Sequence, residues 1–173
     1  MKLVFVLIIQ LILLLQLAAQ DTSELNGKRI KAIDTSDIVE IISKAKEVGK
    51  KDSSAADKIF RIAISKAKKS NDLYHVGKAY YEMGEMYFRF KNHNKSFGAF
   101  LNAKENFAKA GSRRETAYAN FTLGRQQYYR GNYKLSAGHL NYAMREAKQL
   151  KLKNLESDVL EYMGILYHVM PNP

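Results

Sequence analysis

The chain repeats a pattern of small and apolar residues at an interval of forty positions. Glycine recurs at Gly84, Gly124 and Gly164, each time directly after Met or Leu. Two further columns keep the same interval, with Phe60, Phe100 and Leu140 in one and Ala63, Ala103 and Ala143 in the other. Because periods of roughly 20 to 50 residues are typical of solenoids and stacked arrays, the sequence predicts one repeat domain over about residues 36–170.

Each repeat contains two helical segments separated by turn-forming residues. In the second segment, apolar residues such as Phe100, Ala103 and Phe107 recur with helical spacing. Asn71 and Gly111 follow equivalent helices, and both residue types tolerate the left-handed conformation that ends a helix. We therefore predict an all-α fold, an α-solenoid of stacked antiparallel helix hairpins. Its units cover about residues 37–69, 77–110 and 116–150, with a half-unit at 155–169.

The recurring glycines lie inside segments that otherwise favour a helix. Glycine costs about 1 kcal/mol relative to alanine in a helix interior, so a fixed interval of glycines requires a structural reason. Two helices of a hairpin approach closely only where their side chains are small. We expect Gly84, Gly124 and Gly164 to be packing residues, with Gly84 and Gly124 in contact with the second helix of their hairpin. The partners predicted on the second helices are Phe60, Phe100, Leu140, Ala63, Ala103 and Ala143.

These columns resemble the tetratricopeptide repeat (TPR) family. Around its glycine that family carries an aromatic residue, a Leu-like residue and a tyrosine, followed by a small residue, an aromatic residue and alanine. The matching residues around Gly84 are Tyr80, Met83, Tyr87, Ser96, Phe100 and Ala103. The family's proline at the unit end is absent, and the period exceeds the usual length of about 34 residues. The long period resembles the variant repeats of bacterial sensor and regulator proteins, and the resemblance implies a right-handed superhelix.

The resemblance also implies a concave groove, lined by the first helix of each hairpin, that binds a protein or peptide segment. The residues that correspond to inward positions are Lys78, Tyr81, Glu85, Phe88, Arg89, Tyr118, Phe121, Arg125, Tyr128 and Tyr129. Tyr, Phe and Arg dominate this set, and Tyr and Arg are enriched at binding hot spots. For Tyr81, Phe121 and Tyr128, packing against the neighbouring unit is an equal alternative. The chaperone-tail clamp of the family is not expected, because its Lys and Asn positions are not matched.

The residues that usually carry catalysis or metal binding do not form a recognisable pattern. The four histidines lack metal-ligand spacing, and the sequence contains no cysteine and no glycine-rich phosphate loop. We therefore expect no enzyme activity, no metal and no cofactor. The net charge is +11, but many lysines fall at predicted helix C-termini, where cations complement the helix dipole. Nucleic acid is not an expected partner, whereas a basic surface that binds anionic envelope components is an alternative function.

The first 19 residues resemble a secretory signal peptide. Lys2 precedes an apolar run from Leu3 to Leu17, and Ala18 and Ala19 provide a small-residue cleavage region. The interpretation predicts cleavage after Ala19, export to the periplasm or the extracellular space, and a linker over residues 20–35. An uncleaved helix that anchors the chain in a membrane is the alternative.

The last predicted helix, in the sequence LEYMGILYHVMPNP, is apolar nearly all round. Solenoids normally end in a helix with a polar outer face. Two interpretations follow: the chain is the sensor portion of a longer signalling protein, or it forms a homo-oligomer through this C-terminal helix.

Overall fold

A computed structural model of the protein describes residues 36–170, which form seven α-helices and no strand. The predicted signal peptide and linker, residues 1–19 and 20–35, lie outside the described residues. The helices are α1 Ser36–Val48, α2 Ser53–Lys69, α3 Leu73–Arg89, α4 His93–Lys109, α5 Arg113–Tyr129, α6 Tyr133–Gln149 and α7 Lys153–Val169. None of these seven helices has the length and apolar character that a membrane span requires.

The helices from α2 to α7 follow one another with great regularity, because the turns between them share one geometry. Each of these helices has 17 residues. The middle residue of each turn adopts a left-handed conformation, with φ between 55° and 75°. A backbone hydrogen bond then closes each turn, as in the bond of 2.9 Å from the amide of Ser112 to the carbonyl of Phe107. Asn71 and Gly111 take the turn position predicted for them, but Lys91 and Lys151 adopt the same conformation.

Consecutive helices pack as antiparallel hairpins, which are α1/α2, α3/α4 and α5/α6, with α7 against α6. The odd-numbered helices also contact one another across hairpins, since α1 packs on α3 and α5 packs on α7. A hydrogen-bond contact of 3.4 Å between the hydroxyls of Tyr81 and Thr122 links α3 to α5. We call the side formed by the odd-numbered helices the inner face. The described chain is thus an all-α helical-repeat solenoid, as predicted.

The forty-residue columns lie at the centre of the hairpins. Phe60, Phe100 and Leu140 are fully buried, and so are the three alanines at the equivalent positions of the second helices. A Cβ atom on Gly84 would lie 3.0 Å from three ring carbons of Phe100, and one on Gly124 would lie 2.9 Å from Leu140. Side-chain hydroxyls of the second helices complete the contact. Ser96 and Ser136 donate hydrogen bonds of 2.9 and 2.8 Å to the carbonyls of Gly84 and Gly124.

The third glycine of the column departs from the expectation. Gly164 is exposed, and a Cβ added there would meet no atom within 4 Å. The physical reason is that no helix within residues 36–170 crosses α7 at this point. The same side of the array leaves large apolar side chains of α7 more than a third exposed, namely Leu160, Ile165, Tyr167 and Val169. Homo-oligomerisation through this helix stays a prediction.

The helical units begin earlier than the sequence patterns indicated. Helices α3, α5 and α7 start at Leu73, Arg113 and Lys153, a few residues before the predicted starts at residues 77, 116 and 155. Of these additional residues, Val76 of α3 is fully buried. Packing in the interior therefore extends α3 beyond the stretch in which the repeat columns are visible, whereas the added residues of α5 and α7 are not buried.

Candidate functional site: the inner groove

Helices α3, α5 and α7 present a connected set of aromatic and charged side chains on the inner face. We call this surface, formed by Lys78, Tyr81, Glu85, Tyr118, Phe121, Arg125, Tyr129 and Tyr162, the inner groove. All but Tyr162 belong to the residues predicted from the sequence. The spacing of first helices by forty residues brings these side chains onto one side, because equivalent positions on stacked helices point in one direction.

Arg125 is the central cation of the inner groove. Its guanidinium carbon lies 5.5 Å from the ring centre of Phe121 on its own helix and 5.0 Å from that of Tyr162 on α7. The two rings meet edge to face, with centres 5.6 Å apart. The Nε atom of Arg125 is buried and has no hydrogen-bond partner among the described residues. A buried donor without a hydrogen bond has a free-energy cost, which a bound acceptor would remove.

Glu85 faces this cation from α3. Burial raises the pKa of the Glu85 carboxyl, while the nearby charges of Arg125 and Arg89 act in the opposite direction. No cation within residues 36–170 comes within 4.0 Å of the carboxylate. The inner groove therefore holds a half-buried acid and a half-buried base that do not neutralise each other in direct contact.

The end of the groove toward the start of α3 and α5 forms a small hollow. A cavity of about 230 Å³ is lined by Lys78, Tyr81, Phe107, Glu115 and Tyr118. Burial raises the pKa of the Tyr81 phenol, which is consequently a neutral hydrogen-bonding group at physiological pH. The ammonium of Lys78 lies 3.1 Å from the carboxylate of Glu82. The cavity thus combines aromatic walls with polar groups at its rim.

The opposite end of the groove is more exposed. Tyr129 is 65% exposed, and its hydroxyl lies 3.3 Å from that of Tyr162. The hydrogen bond with Tyr162 is the main reason why the pKa of Tyr129 is raised. Arg89 is exposed at the end of α3, where its charge acts on Glu85. These residues offer accessible aromatic and cationic groups beside the buried centre.

Two predicted groove residues have a different environment. Phe88 packs edge to face on His93, with ring centres 5.7 Å apart, and Tyr128 packs on Tyr133 at 5.9 Å. Both partners lie at the start of the following second helix, so these rings support the hairpin turns. Tyr81 and Phe121 fit both interpretations, packing within the array and lining the groove. Tyr81 packs on Phe100, and both rings border the groove.

Sequence reasoning missed Tyr162 and Glu82. Tyr162 lies two positions before Gly164, and Glu82 and Thr122 occupy the same place before the other two glycines. Glu82 bridges α1 and α3, because its carboxylate lies 3.1 Å from both Lys46 and Lys78. This column does not stand out in the forty-residue period, because Glu82, Thr122 and Tyr162 share a position but no chemistry. The family pattern passes over it.

No cluster of His, Asp or Glu side chains within residues 36–170 has the arrangement of a metal site. His75 pairs with Asp72 at 2.6 Å at the start of α3, where the aspartate caps the helix. His139 makes a hydrogen bond of 2.9 Å with Asn120 in the interior. Both of these histidines therefore have structural partners.

Comparison with known proteins adds one finding about the fold. No protein-family profile matches the sequence, and no curated protein matches it. Among solved structures, the chain is similar to the crystal structure of BtubC (BKLC) from P. vanneervenii, with a TM-score of 0.70 and 19% sequence identity. The similarity covers 88% of this chain, which spans 65% of the length of the BtubC chain. At this identity the likeness concerns the fold alone, which is a repeated array of packed helices.

Proposed function

We propose that the protein is a non-catalytic scaffold of the TPR type whose inner groove binds a segment of a protein or peptide. The observation that carries the proposal is the environment of Arg125. Its guanidinium is held by two aromatic rings, and its buried Nε lacks an acceptor among the described residues. A bound carboxylate or backbone carbonyl would satisfy this donor with a charge-assisted hydrogen bond.

The groove favours a ligand that combines an acidic group with an aromatic or aliphatic one. Arg125 would accept the acidic group, while Tyr118, Phe121, Tyr129 and Tyr162 provide apolar surface with polar tips. Glu85 stands beside Arg125 and would repel a second acid close to the first. A ligand with one acidic group flanked by neutral or basic residues therefore fits the charges better than a uniformly acidic one.

Export is part of the same proposal. Residues 1–19 support it through their charged start, apolar middle and small-residue end. In this proposal the repeat domain acts in the periplasm or outside the cell, as the sensor portion of a longer signalling protein. Expression in a bacterium followed by intact-mass measurement tests export directly. A mature protein that begins at Gln20 is expected, and a full-length mass would contradict it.

Peptide selection tests the groove. Peptides selected from a random library for binding to the protein should share an acidic residue, and Arg125→Ala should weaken their binding at least about tenfold because a charge-assisted hydrogen bond is lost. The double change Arg125→Ala and Tyr129→Ala should abolish binding while helicity stays unchanged. Arg145→Ala is the matched control, since Arg145 also stacks on a tyrosine, 4.9 Å from the ring of Tyr142 on α6. Equal binding to the Arg125 and Arg145 variants would overturn the proposal.

A further inference from the structure

A second cavity lies away from the inner groove, between the second helices α2 and α4. Its volume is about 630 Å³, and α3 forms its floor. The two tyrosines Tyr80 and Tyr87 of α3 line it, together with four basic side chains, which are Arg61, Lys68, Lys69 and Lys95. We call it the basic cavity.

The next repeat shows that the array does not require this opening. Ala99 lines the basic cavity, and forty residues later the equivalent position is His139. The His139 ring reaches α5, where its Nδ1 lies 2.9 Å from the Oδ1 of Asn120, the residue equivalent to Tyr80. A side chain thus occupies, between α4 and α6, the place that Ala99 leaves vacant between α2 and α4.

Three of the four charges of the basic cavity are equally specific to this repeat, whereas Lys69 has Lys109 as its counterpart. Forty residues after Arg61, Lys68 and Lys95 the sequence has Leu101, Ala108 and Leu135. The repeat architecture therefore accepts uncharged residues at all three positions. Proximity to a helix C-terminus accounts for a cation at Lys68, but it does not apply to Arg61 in the middle of α2 or to Lys95 in the first turn of α4.

One acidic residue neutralises part of this charge. The Oδ2 of Asp57 accepts a hydrogen bond of 2.8 Å from Arg61 Nε, and the carboxylate also accepts one from the hydroxyl of Tyr87. Burial alone would raise the pKa of Asp57, but these two donors outweigh burial and lower it. Burial and the bond to Asp57 raise the pKa of Tyr87 to about 12. Arg61 and Asp57 thus form a neutral pair beside a neutral phenol.

The three lysines keep their charge available. No carboxylate within residues 36–170 lies within 4.0 Å of the ammonium group of Lys68, Lys69 or Lys95. Instead, Lys68 lies 5.9 Å from the ring centre of Tyr80, and Lys95 lies 5.4 Å from that of Tyr87. Like charges that are gathered around a cavity repel one another, and Asp57, which is paired with Arg61, compensates them only in part. An anion would relieve the remaining repulsion.

The two tyrosines set the distance between the charges. Tyr80 and Tyr87 are seven residues apart on α3, which corresponds to about 10 Å along the helix. Lys68 over Tyr80 and Lys95 over Tyr87 therefore mark two ends of the cavity. We propose that the basic cavity binds a small elongated polyanion, with phosphate or similar groups about 10 Å apart that contact Lys95 at one end and Lys68 and Lys69 at the other.

Inorganic phosphates of increasing length test this proposal by isothermal titration calorimetry. Orthophosphate can reach one end only, whereas a longer polyphosphate can reach both, so tetrapolyphosphate should bind at least about tenfold more tightly than orthophosphate. Lys68→Ala combined with Lys95→Ala should remove most of this gain. Lys148→Ala combined with Lys151→Ala removes the same charge near the end of α6 and should leave the affinity nearly unchanged. Equal losses in the two double variants would overturn the proposal in favour of non-specific attraction.

A substitution taken from the chain itself tests the cavity rather than the charge. Ala99→His introduces the residue of the next repeat, keeps all three lysines, and should reduce tetrapolyphosphate binding at least about tenfold by occupying the cavity. Unchanged binding by a folded Ala99→His variant would contradict the proposal, and the lysine variants decide the matter if this variant does not fold.

Vesicles of phosphatidylglycerol separate the sources of the anion. If Ala99→His also reduces binding to these vesicles, a lipid headgroup is the ligand. If the protein binds the vesicles equally well with and without Ala99→His and does not bind tetrapolyphosphate, the proposed site is overturned. Arg125→Ala should affect none of these measurements, so the outcome is independent of the groove.

Discussion

The hairpins α3/α4 and α5/α6 share one backbone arrangement but fill the space between their helices in opposite ways. In α3/α4, Gly77 faces Phe107 so closely that an added Cβ would lie 2.7 Å from the ring. Forty residues later the equivalent positions are Ala117 and Ala147, both fully buried. One hairpin thus combines no side chain with a large ring, and the other combines two methyl groups. The repeat thus keeps the helices close together, while the volume between them can be divided in several ways.

The two hairpins also differ in polarity. The first helix α3 buries Met86 and Tyr87, whereas α5 buries Gln126 and Gln127 at the equivalent positions. Gln126 donates a hydrogen bond of 2.8 Å to the hydroxyl of Ser96 on α4, while its Oε1 is buried without a partner among the described residues. The Oε1 of Gln127 accepts a hydrogen bond of 2.8 Å from Asn132 in the next turn. Helix α5 is therefore central but not uniformly apolar. Hydrogen bonds satisfy part of this buried polarity.

The largest expected effect comes from the pair Gly77 and Phe107. Phe107→Ala should lower the free energy of unfolding by about 3–5 kcal/mol, because a buried ring is replaced by a cavity. Gly77→Ala alone should lower it by about 1–3 kcal/mol through overpacking. The double variant resembles the Ala117 and Ala147 arrangement, so its loss should be smaller than the sum of the single losses. Denaturant titration followed by circular dichroism measures all three, and strictly additive losses would mean that the residues do not share the space.

Smaller changes in the free energy of unfolding are expected for two glycines of one column, and the two changes should have opposite signs. Gly84→Ala should lower the free energy of unfolding by about 1 kcal/mol, because overpacking against Phe100 exceeds the gain in helix propensity. Gly164→Ala meets no atom within 4 Å, so it should raise the same quantity by up to about 1 kcal/mol. Thermal melts of the two variants under identical conditions compare them. A destabilising Gly164→Ala change would show that this face of α7 is covered in solution.

The smallest expected effect is on the pH dependence of the free energy of unfolding, and it comes from His139, the counterpart of Ala99. Burial, with a minor contribution from the charge of Lys104, lowers the pKa of His139 below its usual value near 6.5. The unfolded chain then binds more protons than the folded one between the folded pKa and 6.5, so stability rises with pH in this window and declines on acidification. His139→Gln should show a shallower pH dependence of the unfolding free energy between pH 7 and 5. An identical slope in both proteins would contradict the assignment.

Much of the fold was accessible from the sequence because its determinants recur. Gly84 and Gly124 contact Phe100 and Leu140 as the columns indicated. The pair Gly77 and Phe107 escaped notice, since only one repeat carries it and a single occurrence has no period. Tyr162 escaped for a related reason: its column contains Glu82, Thr122 and Tyr162, which share a position but no chemistry.

The candidate groove was predictable only in part. Arg125, Tyr129 and Glu85 lie where the family resemblance placed them, whereas Phe88 and Tyr128 pack beside the hairpin turns. The resemblance gives the direction of a side chain from its helix. It does not give the positions of the neighbouring helix ends. Those positions decide whether an aromatic side chain lines the groove or packs against a hairpin turn.

Within residues 36–170, the sequence by itself determined the number of helices, their order and the close contacts at Gly84 and Gly124. Helical spacing and the need for small residues at close contacts leave a local, periodic record. Only the tertiary structure decided which spaces remain open. The basic cavity depends on Ala99, Tyr80 and Lys68, which lie on three helices, and its counterpart is occupied by His139. Such a difference arises from the volumes and charges of side chains that meet across the array, so no single stretch of sequence contains it.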